Sequence, residues 1–292
     1  GEIPLTPATD GAEVPSPMAG LPTGAKLGTL VHAVLETADP FAPDLAAELA
    51  DRVREHAVWW PVDVPAEELA AALVPVHDTP LGPLAPGLTL RQIGLRDRMR
   101  EMEFEFPLAG GDARDAAPDI RLADVGDLLG AHLPEDDPLA CYAERLTGTG
   151  LGRQPLRGYL TGSVDAVLRI PAGDDHRYLV VDYKTNWLGP VDRPLTAADY
   201  TRPRLVEAML HSDYPLQALL YSVVLHRFLR WRLPAYTPEE HLGGVLYLFL
   251  RGMCGPDTPV VDGHPAGVFS WQPPAGLVVA LSDLLDAGRT AE

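Results

Sequence analysis

The chain has 292 residues, 46% of them hydrophobic and 22% charged, enough to bury a real core without a disulfide or metal staple and too apolar for intrinsic disorder. With 23 Lys+Arg against 41 Asp+Glu the net charge is −18, which excludes a general nucleic-acid-coating module. No apolar run reaches the roughly 20 residues needed to cross a bilayer, no signal peptide opens the chain, and Cys141 and Cys254 stand alone, so a cytoplasmic location is expected and a cysteine zinc knuckle is not. The charge is uneven. Residues 1–90 carry 3 basic and 13 acidic side chains, whereas residues 91–100 carry four arginines and one aspartate.

In chain order, residues 1–24 (GEIPLTPATDGAEVPSPMAGLPTG) are dense in Pro and Gly and read as an interdomain linker or tether cut from a longer polypeptide, with one folded domain expected over 25–292. The spacing of Leu30, Val31, Val34 and Leu35 predicts a helix over 26–38 that leaves His32 and Glu36 outside its apolar arc. A second helix is predicted from Asp44 to Trp60, ending at Pro61. From Arg100 the period becomes two: Met102, Phe104 and Phe106 alternate with Glu101, Glu103 and Glu105, a strand with one buried and one polar face. Residues 107–153 read as loop with one or two short helices. Two apolar runs, 162–170 (GSVDAVLRI) and 177–183 (RYLVVDY), are predicted as buried strands joined by PAGDDH. A helix over 215–229 and a buried strand over 244–250 follow. This order predicts an α/β fold, a mixed central sheet flanked by helices.

Chemistry concentrates at Val180-Val181-Asp182-Tyr183-Lys184. Asp182 and Lys184 share a strand face because the side-chain period is two. Asp165 lies within the preceding apolar strand, and a hairpin would bring it near Asp182. Two carboxylates beside an ammonium make an oxygen-ligand site for Mg²⁺ or Mn²⁺. The competing reading is an exposed ion pair on a strand end. Lys184 is one of two lysines among 23 basic residues, so a compact ammonium is wanted there. Gln217 and Tyr221 stand one helical turn apart. Arg227, Arg230 and Arg232 with His226 form a basic helix end suited to capping or to phosphate contacts, and Trp187 is either core or a base-stacking residue. No phosphate loop, dinucleotide fingerprint or GxSxG elbow is present, which disfavours ATP hydrolysis and serine-nucleophile chemistry.

The runs GSVDAVLRI, YLVVDYKTNWLG, YPLQALLYSVVLHRFLRWRLPAY and HLGGVLYLFLRGM resemble the RecB-type nuclease domains of helicase–nuclease complexes, within the PD-(D/E)XK nuclease superfamily. The similarity is nearly continuous over 158–253, with weaker matches at 28–32 and 101–104, and DYKTNWLG and GGVLYLFLRG favour this family over the AddA type. The resemblance implies a restriction-endonuclease-like core and DNA phosphodiester hydrolysis of the exodeoxyribonuclease V type. It implies metal ligation by His32, Asp165, Asp182 and Glu101, Lys184 as catalytic lysine, and Gln217 and Tyr221 as a QxxxY element. Mg²⁺ is the implied cofactor, with Mn²⁺ as substitute. Single strands of DNA delivered from duplex ends are the implied substrate, and RecC-like and RecD-like subunits the partners. The leading Pro of the family motif is replaced by Val164. Two other readings are open at this point: a catalytically silent DNA- or partner-docking module, and a plain structural domain.

Overall fold

The computed structural model describes residues 13–108, 120–148 and 150–286. Three helices come first: α1 (Ala25–Thr37), α2 (Leu45–Ala57) and α3 (Ala66–Asp78). Then follow β1 (Arg98–Leu108), α4 (Leu122–His132), α5 (Tyr142–Thr147), β2 (Gly158–Ala172) and β3 (Asp175–Lys184). The remainder holds α6 (Arg202–His211), α7 (Tyr214–Arg232), α8 (Pro238–His241), β4 (Leu242–Phe249), two short strands β5 (Val260–Val261) and β6 (His264–Pro265), β7 (Val268–Trp271) and α9 (Ala275–Asp286). Five strands form one sheet in the order β1-β2-β3-β4-β7, and β5 pairs antiparallel with β6. The mixed α/β class expected from the sequence is what forms. None of the described helices is long and apolar enough to cross a membrane.

The chain divides into two compact units, each drawn from three stretches. One comprises 1–99, 181–205 and 246–270; the other comprises 100–180, 206–245 and 271–292. A division that passes through strands β3 and β4 leaves no linear boundary, which is why the sequence reads as one domain.

Within the first unit, α1 buries Leu27, Leu30, Val31, Val34 and Leu35, the expected arc, and leaves His32 half-buried. α2 starts at its Asp44 cap, whose carboxylate accepts from Ala47 N–H at 3.0 Å, and ends at Ala57, short of the expected Trp60. α3 went unpredicted because Pro75 reads as a breaker; here Thr79 Oγ1 donates to the Pro75 carbonyl at 2.8 Å, meeting one acceptor of the final turn. The described part of the expected tether differs from a slack chain. Pro15 bridges Thr196, Ser16 N–H donates to Leu195 O at 2.9 Å, and Met18 and Leu21 are buried. Its Pro/Gly composition marks irregular backbone whose polar groups are nonetheless met. Residues 1–12 lie outside the described residues.

In the second unit, Gly173 (φ 63) supplies the positive φ of the two-residue turn between β2 and β3. β4 presses on β3 so closely that a Cβ on Gly243 would sit 2.7 Å from Leu179 Cδ2 and 3.0 Å from Tyr178 O. The loop-rich expectation for 107–153 holds, with α4 and α5 as its short helices; residues 109–119 lie outside the described residues.

Candidate active site

β3 runs Leu179-Val180-Val181-Asp182-Tyr183 entirely buried and ends on Lys184. The β-branched, apolar run 179–183 forces the carboxylate within it inside: Asp182 is 3% exposed. Such a charge is costly unless met, and Lys184 Nζ meets Asp182 Oδ2 at 2.6 Å, an ion pair rather than an aligned hydrogen bond. Lys184 Nζ also lies 5.3 Å from the centroid of the Tyr247 ring. The exposed-ion-pair reading therefore fails on burial: the pair sits inside, with the lysine side chain 14% exposed.

α1 comes to the same strand end. The His32 ring meets the Tyr183 ring edge to face, centroids 5.9 Å apart, and a Cβ on Gly28 would stand 3.2 Å from Thr185 Oγ1. Only a residue without a side chain lets the helix approach this closely.

The loop leaving Lys184 is held by a residue the sequence reading passed over. Arg251, 0% exposed, donates through Nε to Thr185 O at 3.0 Å, through Nη1 to Met18 O at 2.8 Å and Leu21 O at 3.3 Å, and through Nη2 to Pro22 O. Its guanidinium carbon lies 5.4 Å from the Trp187 ring centroid, and burial pulls its pKa below the usual arginine value. Trp187 is thus half-buried beside a guanidinium. Tyr200 OH donates to Asn186 O at 2.8 Å and accepts from Leu188 N–H at 3.3 Å; burial pushes its pKa up. One signal pointed to Arg251: a charge closing the apolar run VLYLFLR, the argument applied to Asp165. Nothing in the sequence singled out Tyr200.

The second unit holds the remaining candidates. Asp165 is half-buried on β2, between buried Val164 and Ala166. Glu101, Glu103 and Glu105 are all exposed on β1. Glu101 has φ 43, a left-handed residue inside the strand, yet Glu101, Glu103 and Glu105 are exposed and Met102 is buried, the alternation expected from the sequence. Gln217 Nε2 donates to Tyr221 OH at 2.9 Å, so the two are joined along α7 as their spacing predicts. Tyr221 takes Phe104 edge-on at 6.0 Å, and a Cβ on Gly162 would stand 2.7 Å from Phe104 Cζ.

The carboxylate donors suit a hard divalent cation, and both cysteines are free rather than paired. Among the described residues no group of three or more His, Cys, Asp or Glu is gathered in ligating geometry. Mg²⁺ asks for less than that: it commonly takes one or two carboxylates and completes its shell with water and substrate phosphate.

A buried acid–lysine pair closing a central strand is the arrangement of one nuclease class, and residues 10–259 match the PD-(D/E)XK nuclease superfamily. The chain belongs to that superfamily, whose nucleases generally use divalent metal ions. Among curated proteins it is similar to the RecBCD enzyme subunit RecB of Mycolicibacterium smegmatis, 71% identical over 286 residues, 98% of this chain and 26% of that protein. The RecB subunit of Mycobacterium tuberculosis H37Rv is 69% identical over 283 residues (96% and 25%), and that of Escherichia coli K12 is 34% identical over 276 (93% and 20%). The chain spans about a quarter or less of the length of these relatives.

Proposed function

We propose that the chain is a Mg²⁺-dependent deoxyribonuclease domain of the exodeoxyribonuclease V type, acting on single strands delivered from duplex ends during double-strand-break processing and recombination. The observation that carries this is the buried Asp182–Lys184 pair closing β3 in a chain of the PD-(D/E)XK superfamily. The similarity to RecB subunits supports RecC-like and RecD-like partners in a cytoplasmic complex. Such partners would add to the DNA affinity of a chain whose net charge is −18.

Asp182, Asp165, Glu101 and His32 are the proposed metal ligands. When bound, the ion supplies Lewis-acid polarisation of the scissile phosphate and a water of lowered pKa. Lys184 holds its ammonium against Asp182 and is available to stabilise charge on a phosphoryl oxygen and to orient the attacking water. Arg251 and Tyr200 fix the loop that follows, so Lys184 stands on a backbone held on both sides. Gln217 and Tyr221, already bonded to each other, would position the substrate strand.

The test is incubation with linear single-stranded and duplex DNA in Mg²⁺ or EDTA, beside alanine variants of His32, Glu101, Asp165, Asp182 and Lys184. Metal-dependent cleavage lost in Asp182→Ala and Lys184→Ala, with raised half-saturating Mg²⁺ in the ligand variants, is the expected result. Cleavage that persists in EDTA overturns the reading.

A further inference from the structure

The basic end of α7 is left unused by the site above. We propose that Arg230-Trp231-Arg232, the exposed last turn of α7, is a landing platform on which single-stranded nucleic acid stacks a base and rests its phosphates; this builds on the reading of the chain as a DNA nuclease. Trp231 is 74% exposed, and Arg232 lies with its guanidinium carbon 4.1 Å from the Trp231 ring centroid. Arg227, one turn earlier, is spent: Nη2 pairs with Asp286 Oδ1 at 3.0 Å and Nε donates to Ser282 Oγ at 3.0 Å. Arg230 and Arg232 are exposed and have no carboxylate within ion-pair distance among the described residues. Glu239 and Arg230 both act on Tyr236 electrostatically, without pairing.

Helix capping accounts for part of this. Cations in a last turn complement the helix dipole and need no ligand. Capping does not account for an indole 74% exposed with one guanidinium stacked over its ring, which leaves a large apolar face wet. Indole plus unpaired arginines is the chemistry of single-strand binding, where aromatic rings stack bases and cations track the backbone.

A second exposed aromatic group sharpens the assignment. Val58 (76%), Trp59 (76%) and Trp60 (37%) follow α2, where Arg52 pairs with Glu55 and Arg54 with Asp51 and Glu67, so the arginines there are already engaged by carboxylates. The two exposed indoles thus differ in the cations beside them, and the last turn of α7 is the one whose arginines have no carboxylate within ion-pair distance among the described residues. The helix also sets the reach. Trp231 lies ten residues beyond Tyr221, about 15 Å along the axis, within the span of the roughly 4 to 16 nucleotides that a single-strand groove holds.

Binding of 5′-fluorescein-labelled dT20 is measured by anisotropy in EDTA, so no cutting is needed. In Trp231→Ala the affinity is expected to fall about 10-fold. In the Arg230→Gln/Arg232→Gln double variant the slope of log K against log salt is expected to drop by about 1.4, two phosphates' worth. Trp59→Ala leaves both unchanged. All of these side chains are exposed, so melting temperatures serve as folding controls. Affinity within two-fold of the parent in both α7 variants, a parent that fails to hold dT20 at low salt, or an equal loss on a 20-base-pair duplex from Trp231→Ala each overturns the platform. Because the readout is binding without metal, failure of the nuclease reading shows separately, as binding without Mg²⁺-dependent cutting.

Discussion

Lys184 at the end of β3 and Arg232 at the end of α7 are both cations that close a regular element, yet their settings are opposite. Lys184 is 14% exposed and paired at 2.6 Å inside the sheet, with the following loop tied down by Arg251. Arg232 is exposed, with its guanidinium over the rings of Phe228 and Trp231. A buried, paired charge cannot adapt cheaply, which suits a group that must meet a transition state in one geometry. An exposed, unpaired one keeps its hydration and rotamer freedom until a ligand arrives, which suits capture. The comparison separates chemistry from binding, and each part of it can be broken.

The largest effect is expected at the buried end. Lys184→Ala should lower cleavage by about 10²-fold or more, the loss typical of one preorganised charge stabiliser, read as a rate at saturating Mg²⁺. Arg251→Met comes next: it strips the donor from four carbonyls and should cost roughly 3 kcal/mol or more, seen in denaturant unfolding. Its cleavage should fall with it, because the loop after Lys184 is released, and Arg251→Lys should recover only part of either.

A pH effect of similar size is expected from His77. This ring is 0% exposed, and burial pulls its pKa down to about 4, with Arg98 and Arg91 pushing the same way against the hydrogen bond to Leu73 O. The folded state thus prefers neutral His77, and the unfolded chain binds the extra proton. Stability is full above about pH 6.5 and declines as pH falls toward 4, by roughly 3 kcal/mol from this group. Unfolding curves at pH 7.5 and 5 should differ, and His77→Phe should shrink the difference. The smallest effect is Gly28→Ala, whose Cβ meets Thr185 Oγ1 at 3.2 Å. A cost of about 1 kcal/mol in stability, with a modest rise in half-saturating Mg²⁺, is the expected outcome of easing α1 and His32 away from β3.

How much of this was legible in the sequence follows from how local each signal is. The arc of α1, the helix start at Asp44, the two strands expected over 162–170 and 177–183 and the Gln217–Tyr221 pair rest on short-range spacing, and all are observed. α3 carries Pro75 in its interior, and the last turn is closed by Thr79 Oγ1 donating to the Pro75 carbonyl, a partner outside the helix. The fixed segment at 13–24 hid because composition reports irregular backbone and not its partners, which are Leu195, Thr196 and Arg251 far along the chain. Asp182 and Lys184 were found from the strand period alone. That their pair is buried depends on the strands and helix packed around it, which no local pattern encodes. Glu101 keeps its exposed place in the alternation beside buried Met102, whereas its φ of 43 is a backbone feature that no side-chain period reports.

The central claim is that the buried end of β3 is a metal-dependent phosphodiesterase centre. The most direct measurement is single-turnover cleavage of a linear single strand by the parent chain and by Asp182→Asn, across a Mg²⁺ titration, with unfolding curves confirming that both are folded. The account predicts that the parent cuts with a saturable Mg²⁺ dependence and that the folded variant does not cut at any Mg²⁺ concentration. A folded Asp182→Asn chain that cuts at the parent rate would contradict it.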